Sequence, residues 1–244
     1  CVVNGRPFVR LGMVGKGGSS QVYRVMDADY RIFALKKVHI DTHTDARMVE
    51  MYTNEITLLR KLEGNPHIVQ LVDAQVDTGQ HCIQLLMEIG ETDLSKVLQS
   101  QKRSAEGTAS PAGTLPSGLG QNFVRFLWQQ MLEAVDAIHK ENIVHGDLKP
   151  ANFLLVKGML KLIDFGIAKA IQSDETTNIV RESQVGTLNY MSPEALLDTG
   201  GGGAGDRPVI KLGRASDVWS LGCILYQMVY GRPPFAHLRV VAKL

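Results

Sequence analysis

The chain has 244 residues, enough for one large domain or two small lobes, each with its own core. Apolar residues make up 44% and charged residues 21%, ordinary for a globular protein, and a net charge of +1 gives no basis for bulk electrostatic binding to nucleic acid or to an anionic membrane. No apolar run approaches the roughly 20 residues needed to span a bilayer.

The opening residues, Cys1-Val2-Val3-Asn4-Gly5-Arg6, lack the charged-then-apolar pattern of a secretory leader. The first residue is not Met, so the chain is expected to be a piece of something longer. Three cysteines, Cys1, Cys82 and Cys223, lie far apart without metal-ligand spacing. They read as free thiols in a reducing compartment. The seven histidines show no zinc-type pairing.

Residues 7–40 read as strands. Apolar positions alternate over Phe8–Val14, Gln21–Met26 and Ile32–Val38, with turn residues between them. Gly15-Lys16-Gly17-Gly18-Ser19-Ser20 joins the first two. Residues 44–62 predict a helix whose inward stripe holds Met48, Tyr52, Leu59 and Leu62, and Glu55 falls on that stripe. Two more strands are expected at 68–74 and 81–87. The segment 101–120 is rich in Gly, Ser, Ala, Thr and Pro and reads as a flexible insertion.

Phe123, Leu127, Met131, Ala134 and Ile138 then repeat at helical spacing. Short strands at 153–156 and 159–163 flank Lys157-Gly158. A second glycine-rich insertion, 199–206, precedes a helix near 216–230 that is apolar on nearly all sides and is expected to be buried. The early half is therefore mostly strand and the later half mostly helix.

Several groupings carry chemistry. Gly15, Gly17 and Gly18 stand in a turn between strands, where glycine lets backbone amides approach phosphate oxygens. A strand follows this turn rather than a helix, which excludes a dinucleotide fingerprint. Phe33-Ala34-Leu35-Lys36 ends an apolar strand with a lysine. A carboxylate at Glu55, on the apolar stripe of a helix, is costly unless paired. Lys36 and Glu55 explain each other as an ion pair. His145-Gly146-Asp147-Leu148-Lys149-Pro150-Ala151-Asn152 is followed by Asp164-Phe165-Gly166. Acid, base and amide at offsets 0, +2 and +5 before a second acid suit the holding of metal-bound phosphates beside a hydroxyl nucleophile.

Together these stretches resemble a eukaryotic protein kinase, in the correct order over residues 7 to 244. Gly186-Thr187-Leu188-Asn189-Tyr190-Met191-Ser192-Pro193-Glu194 is similar to the end of an activation segment. Ser216-Asp217-Val218-Trp219-Ser220-Leu221-Gly222 is similar to the start of the buried central helix. The resemblance implies an α+β bilobal fold, with an N-lobe at 1–87, a hinge at 88–92 and a C-lobe at 93–244 lacking its final helices. It implies ATP and Mg2+ as cofactors and protein substrates and nucleotide as partners, with no nucleic acid, no membrane and transient self-association for trans-autophosphorylation.

Roles follow residue by residue. Asp147 is expected to accept the substrate hydroxyl proton and Lys149 to offset charge on the transferring phosphate. Asn152 and Asp164 would bind magnesium through oxygen. Lys36 would touch the α- and β-phosphates. Met87 resembles the gatekeeper, and Glu88 to Gly90 the hinge that offers backbone groups to adenine. Val22, Ala34 and Leu154 would sandwich the ring. Asp93 would reach the ribose, and His145, Phe165 and Leu59 would stack as a spine.

Asp147–Leu154, Gly158–Ala168 and Ser183–Thr187 are similar to the monopolar-spindle checkpoint kinases, the TTK-like dual-specificity group. That implies a place in spindle checkpoint signalling, in cytoplasm and nucleus and at the kinetochore. Three departures stand out. Gly146 replaces the arginine that commonly clamps a phosphorylated activation loop, Ser20 replaces the third glycine of the loop, and Ser192 replaces an alanine. Thr176, Thr177, Ser183 and Thr187 are expected to include autophosphorylation sites, with Lys169 or Arg181 as cationic partners. Without its last helices, including the arginine that usually pairs with Glu194, this fragment is expected to be less stable than a complete domain. Two alternatives stay open: a pseudokinase acting as a nucleotide-sensing scaffold, and a small-molecule phosphotransferase.

Overall fold

Strand-forming residues with period-two alternation build the first half into a sheet. The computed structural model describes residues 1–17, 20–40, 46–77, 79, 81–105, 113–165, 169–170, 177–179, 187–196 and 210–238. A short hairpin of β1 (Val2–Val3) and β2 (Arg6–Pro7) precedes β3 (Val9–Lys16), β4 (Ser20–Met26) and β5 (Ile32–His39). Helix α1 (Ala46–Lys61) follows, then β6 (Leu71–Asp77) and β7 (Cys82–Glu88). The five long strands form one antiparallel sheet in the order β3-β4-β5-β7-β6.

Strand β7 is buried from Cys82 through Leu86 because it lies between β5 and β6 and both of its faces are covered. Leu35 and Leu86 pack with Val3, Phe8 and Val25 in a small cluster. Val38, Ile83 and Leu85 instead join the main core with Tyr52, Ile56 and Leu59 of α1.

The second half contains β8 (Thr92–Asp93), α2 (Leu94–Ala105), α3 (Gln121–Lys140), β9 (Ile143–Val144), β10 (Phe153–Val156) and β11 (Met159–Leu162). It continues with β12 (Lys169–Ala170), β13 (Thr177–Ile179), α4 (Pro193–Leu196), β14 (Ile210–Leu212) and α5 (Arg214–Tyr230). Strands β11, β10 and β8 form a small sheet, β12 pairs with β9, and β13 pairs with β14. Lys157 and Gly158 make the β10–β11 turn, both at positive φ. Gly231, at φ 76°, ends α5 by donating its N–H to the Gln227 carbonyl at 2.8 Å.

The halves share one core. Leu59, Leu62 and Ile68 pack in the same cluster as Leu127, Met131, Phe153 and Phe165. The backbone joins there too: Val69 N–H donates to Leu162 O at 3.1 Å and Leu162 N–H to His67 O at 2.8 Å.

Four expectations need correction. The strand read at 68–74 begins at Leu71, because Ile68 makes a parallel bridge with Leu162 and ties the preceding turn to the second half. Residues 101–120 are not one flexible insertion. Positions 101–105 complete α2, and at the far end Leu119 and Ser117 are buried, with the Ser117 hydroxyl donating to the Met228 carbonyl. The stripe of α3 is led by Val124 rather than by Phe123, which is exposed.

Helix α5 is not buried all round. Leu221, Cys223, Ile224 and Met228 are in the core, whereas Val218, Trp219, Tyr226 and Tyr230 are exposed among the described residues. Only one side of this largely apolar helix packs into the core. The insertion read at 199–206 lies outside the described residues.

The two sides of α5 should respond differently to truncation. Ile224→Ala is expected to cost about 3 kcal/mol through lost burial and a residual cavity. Val218→Ala should cost about 0.5 kcal/mol or less. Urea denaturation midpoints of the two variants check the contrast.

Candidate active site

A buried carboxylate anchors the loop that follows β9. Asp217, in the first turn of α5, is fully buried. Its oxygens accept the backbone N–H of His145 at 2.9 Å and of Gly146 at 2.8 Å, and His139 Nε2 lies 2.8 Å away. Gly146 has φ 74°, a left-handed conformation that glycine adopts freely. The loop can therefore turn sharply over the helix end while both N–H groups stay paired.

The next residues come together above that anchor. Lys149 Nζ is 2.6 Å from Asp147 Oδ2. Pro150 opens a short 3-10 turn over Pro150–Asn152 that ends with Asn152 buried. Asn152 Nδ2 donates to the Asp147 carbonyl at 3.0 Å, so its amide is oriented and Oδ1 is the atom left to serve as a ligand. The His145 ring lies 5.6 Å from the Phe165 ring, tilted by 55°, and Leu59 belongs to the same core cluster as Phe165.

Lys36 on β5 faces Glu55 on α1. Its Nζ is 2.8 Å from Oε1 and 3.0 Å from Oε2, and 3.7 Å from Asp164 Oδ1. The lysine and glutamate side chains are 12% and 2% exposed, so neither charge could stand alone. Burial by itself pulls Lys36 down, but the carboxylates of Glu55 and Asp164 outweigh it and hold the ammonium above its ordinary range. Burial pushes the Glu55 carboxyl up, opposed by Lys36. Asp164 sits at φ 67° just after β11, its side chain half-exposed.

The segment between the halves lies on the β10–β11 hairpin. Met87 pairs with Ala34 across β5 and β7, and Val22 pairs with Lys36 across β4 and β5. Glu88 N–H donates to Gln70 O at 3.0 Å. Its carboxylate accepts Gln70 N–H at 2.8 Å and pairs with Lys161 Nζ at 2.6 Å. A Cβ on Gly90 would come within 2.5 Å of Leu154 Cγ, so glycine is required for this close approach. Glu91 N–H donates to Leu155 O at 2.8 Å, and its carboxylate accepts Lys157 N–H.

The Asp93 carboxylate, expected to reach a ribose, caps α2 by accepting Lys96 N–H at 3.0 Å and pairs with Lys96 Nζ. Gly15 pairs with Val22, and Gly17 N–H donates to Ser20 O at 2.8 Å. Gly18, Gly166, Thr176, Arg181 and Ser183 lie outside the described residues. Of Thr177, Thr187 and Lys169 only the backbone is described, in β13, in a 3-10 turn and in β12.

The sequence reading missed Asp217, His139 and Lys161 as organising residues. Two of them carried a signal. Asp217 is an acid in an apolar helix, and Lys161 a lysine between Leu160 and Leu162 in a short strand. Both call for a partner.

The protein kinase domain profile matches residues 8–243. The chain belongs to the protein kinase family. This kinase chain is 54% identical over 234 residues to the probable serine/threonine-protein kinase mps1 of Dictyostelium discoideum, covering 96% of the chain and 22% of that protein. It is 53% identical over 238 residues to serine/threonine-protein kinase mph1 of Schizosaccharomyces pombe, covering 97% and 33%. It is 45% identical over 244 residues to dual specificity protein kinase TTK of Mus musculus, covering 99% and 26%. The kinase chain thus spans about a fifth to a third of the length of these relatives. A protein kinase domain uses ATP with a divalent metal. The donor set fits such a metal: Asn152 and Asp164 offer oxygens, and hard cations complete their shells with phosphate and water.

Two measurements probe this geometry. Gly146→Ala is expected to lower stability by about 1 kcal/mol, because a Cβ is strained in the left-handed region, and Gly146→Asn by less. Urea denaturation of the three proteins checks the order. Lys36 is held above its unfolded value of 10.5, so the stability it contributes is fully present below that pH and is lost as pH rises through the folded value. The wild-type kinase should show a falling alkaline limb of unfolding free energy that Lys36→Met flattens.

Proposed function

We propose that this domain transfers the γ-phosphoryl group of Mg-ATP to serine and threonine, and also tyrosine, of protein substrates, as a member of the Mps1/TTK group. The observation that carries this reading is the assembled Lys36–Glu55 pair, with Asp164 Oδ1 3.7 Å from the same ammonium. An intact pair beside the second acid argues for catalysis rather than a scaffold alone. The names of the relatives, serine/threonine-protein kinase and dual specificity protein kinase, support the substrate class.

ATP, when bound, supplies the phosphoryl group, and magnesium neutralises part of its charge. The work of the chain is positioning and charge stabilisation. Lys36 holds phosphate oxygens while Glu55 keeps it in place. Gly15, Gly17 and Gly18 offer backbone amides to the phosphates. Val22, Ala34 and Leu154 enclose the adenine, with Met87 behind it and the Glu88 carbonyl and Gly90 at its edge. Asn152 and Asp164 would hold the metal through their side-chain oxygens. Asp147 accepts the proton of the attacking hydroxyl, and Lys149, 2.6 Å from it, offsets charge on the transferring group.

Thr176, Thr177, Ser183 and Thr187 are proposed to include autophosphorylation sites, reached by transient self-association. The whole protein is proposed to act in spindle checkpoint signalling in cytoplasm and nucleus and at the kinetochore.

Asp147→Ala should lower phosphate transfer to a Ser/Thr peptide by at least about a hundredfold while nucleotide affinity stays unchanged. Labelled-phosphate transfer and calorimetric ATP binding check both arms. Full activity in Asp147→Ala would remove the assigned base. Nucleotide binding without transfer by the wild-type chain would favour a nucleotide-sensing module.

A further inference from the structure

Lys36 has a third neighbour that the Lys36–Glu55 pairing does not account for. The ring of Tyr52 lies under its ammonium, with Nζ 5.2 Å from the ring centroid. Tyr52 stands three residues before Glu55 on α1, so the two side chains project from one face of the helix, a turn apart. The ring is only 6% exposed and belongs to the core cluster with Val38, Ile56, Leu59 and Leu85. Its face is therefore fixed by packing and shielded from water.

A lysine ammonium has three N–H donors and no acceptor. Glu55 Oε1 and Oε2 lie at 2.8 Å and 3.0 Å and can take two of them. A neutral hydrogen-bond acceptor in place of the ring would compete for the third. An aromatic face attracts the cation through its quadrupole without demanding a particular N–H, and it does so most strongly where water is excluded. The ring restrains the flexible four-carbon stem without taking up the third donor, near which Asp164 Oδ1 stands at 3.7 Å.

We propose that Tyr52 is a positioning residue for the phosphate-binding lysine, acting through the face of its ring. The inference rests on the phosphotransfer reading above, in which Lys36 holds phosphate. Position 52 then needs an aromatic ring, and the hydroxyl is dispensable. Tyr52→Phe should keep kcat/KM for ATP and MgATP affinity within about twofold of wild type, and Tyr52→Leu should lower both by about tenfold. KM for the peptide substrate should move little in either variant, since the ring acts through Lys36, the lysine assigned to the nucleotide.

A series of mono-, di- and trifluorinated phenylalanines at position 52 separates this role from packing. Shape is nearly constant along the series while the negative face of the ring is progressively cancelled. MgATP affinity, measured by calorimetry, should fall stepwise with fluorination, with melting temperatures nearly level. A flat affinity series would overturn the proposal even if Tyr52→Leu failed to fold. A loss in Tyr52→Phe equal to that in Tyr52→Leu would overturn it as well, since the hydroxyl would then be the contact. A graded affinity series in a chain that transfers no phosphate would leave Tyr52 as assigned and remove the phosphotransfer reading.

Discussion

A carboxylate taken out of water must be met by protons, and this constraint organises the domain in three places. Asp217 is fully buried and is met by two backbone N–H groups and an imidazole. Glu55 is met by Lys36, and Glu88 by Lys161 and a backbone N–H. Each carboxylate fixes a different part of the cleft: the loop carrying Asp147, the lysine on the sheet, and the connection between the halves. Removing Lys36 would leave the buried Glu55 charge uncompensated, at a typical cost of about 3–5 kcal/mol. The geometry is held strongly because the alternatives are expensive.

The pairs work together because the halves are not independent. One apolar cluster runs from α1 through Ile68 to α3 and Phe165. The connecting segment is fastened along the β10–β11 hairpin by the Glu88–Lys161 pair, by the close approach of Gly90 to Leu154, and by Glu91 at the turn. The same hairpin ends in Leu162, whose backbone binds both His67 and Val69. A shift in the hinge would therefore be felt at Asp164, two residues beyond.

Local chemistry was legible in the sequence wherever residue type and period agreed. Glu55 on an apolar stripe announced its need for Lys36, and the strands around Lys157-Gly158 were framed by a turn signal. Where one signal carried two meanings, the reading drifted. Small and polar residues over 101–120 resembled a linker, but composition says nothing of Leu119 finding a buried place near the C-terminal end of α5. Phe123 and Val124 are both apolar neighbours at the start of α3, and the period does not choose between them within one turn. Asp217 obeyed the same rule as Glu55, yet its partners are backbone N–H groups, which no sequence pattern advertises.

Gly146 makes the same point from the other side. As a side chain it is a subtraction, since an arginine at this place would supply a cation to a phosphorylated segment. As backbone it suits its position, because φ 74° is open to glycine without strain and the N–H reaches Asp217 at 2.8 Å. A residue with a Cβ would have to be forced into this turn by the surrounding structure, whereas glycine enters it at no steric cost. The loop bearing Asp147 is thus anchored from below by α5 through main-chain bonds. The placement of Asp147 is then tied to the buried Asp217, and a phosphate on Thr176, Thr177, Ser183 or Thr187 would have to act through groups other than residue 146.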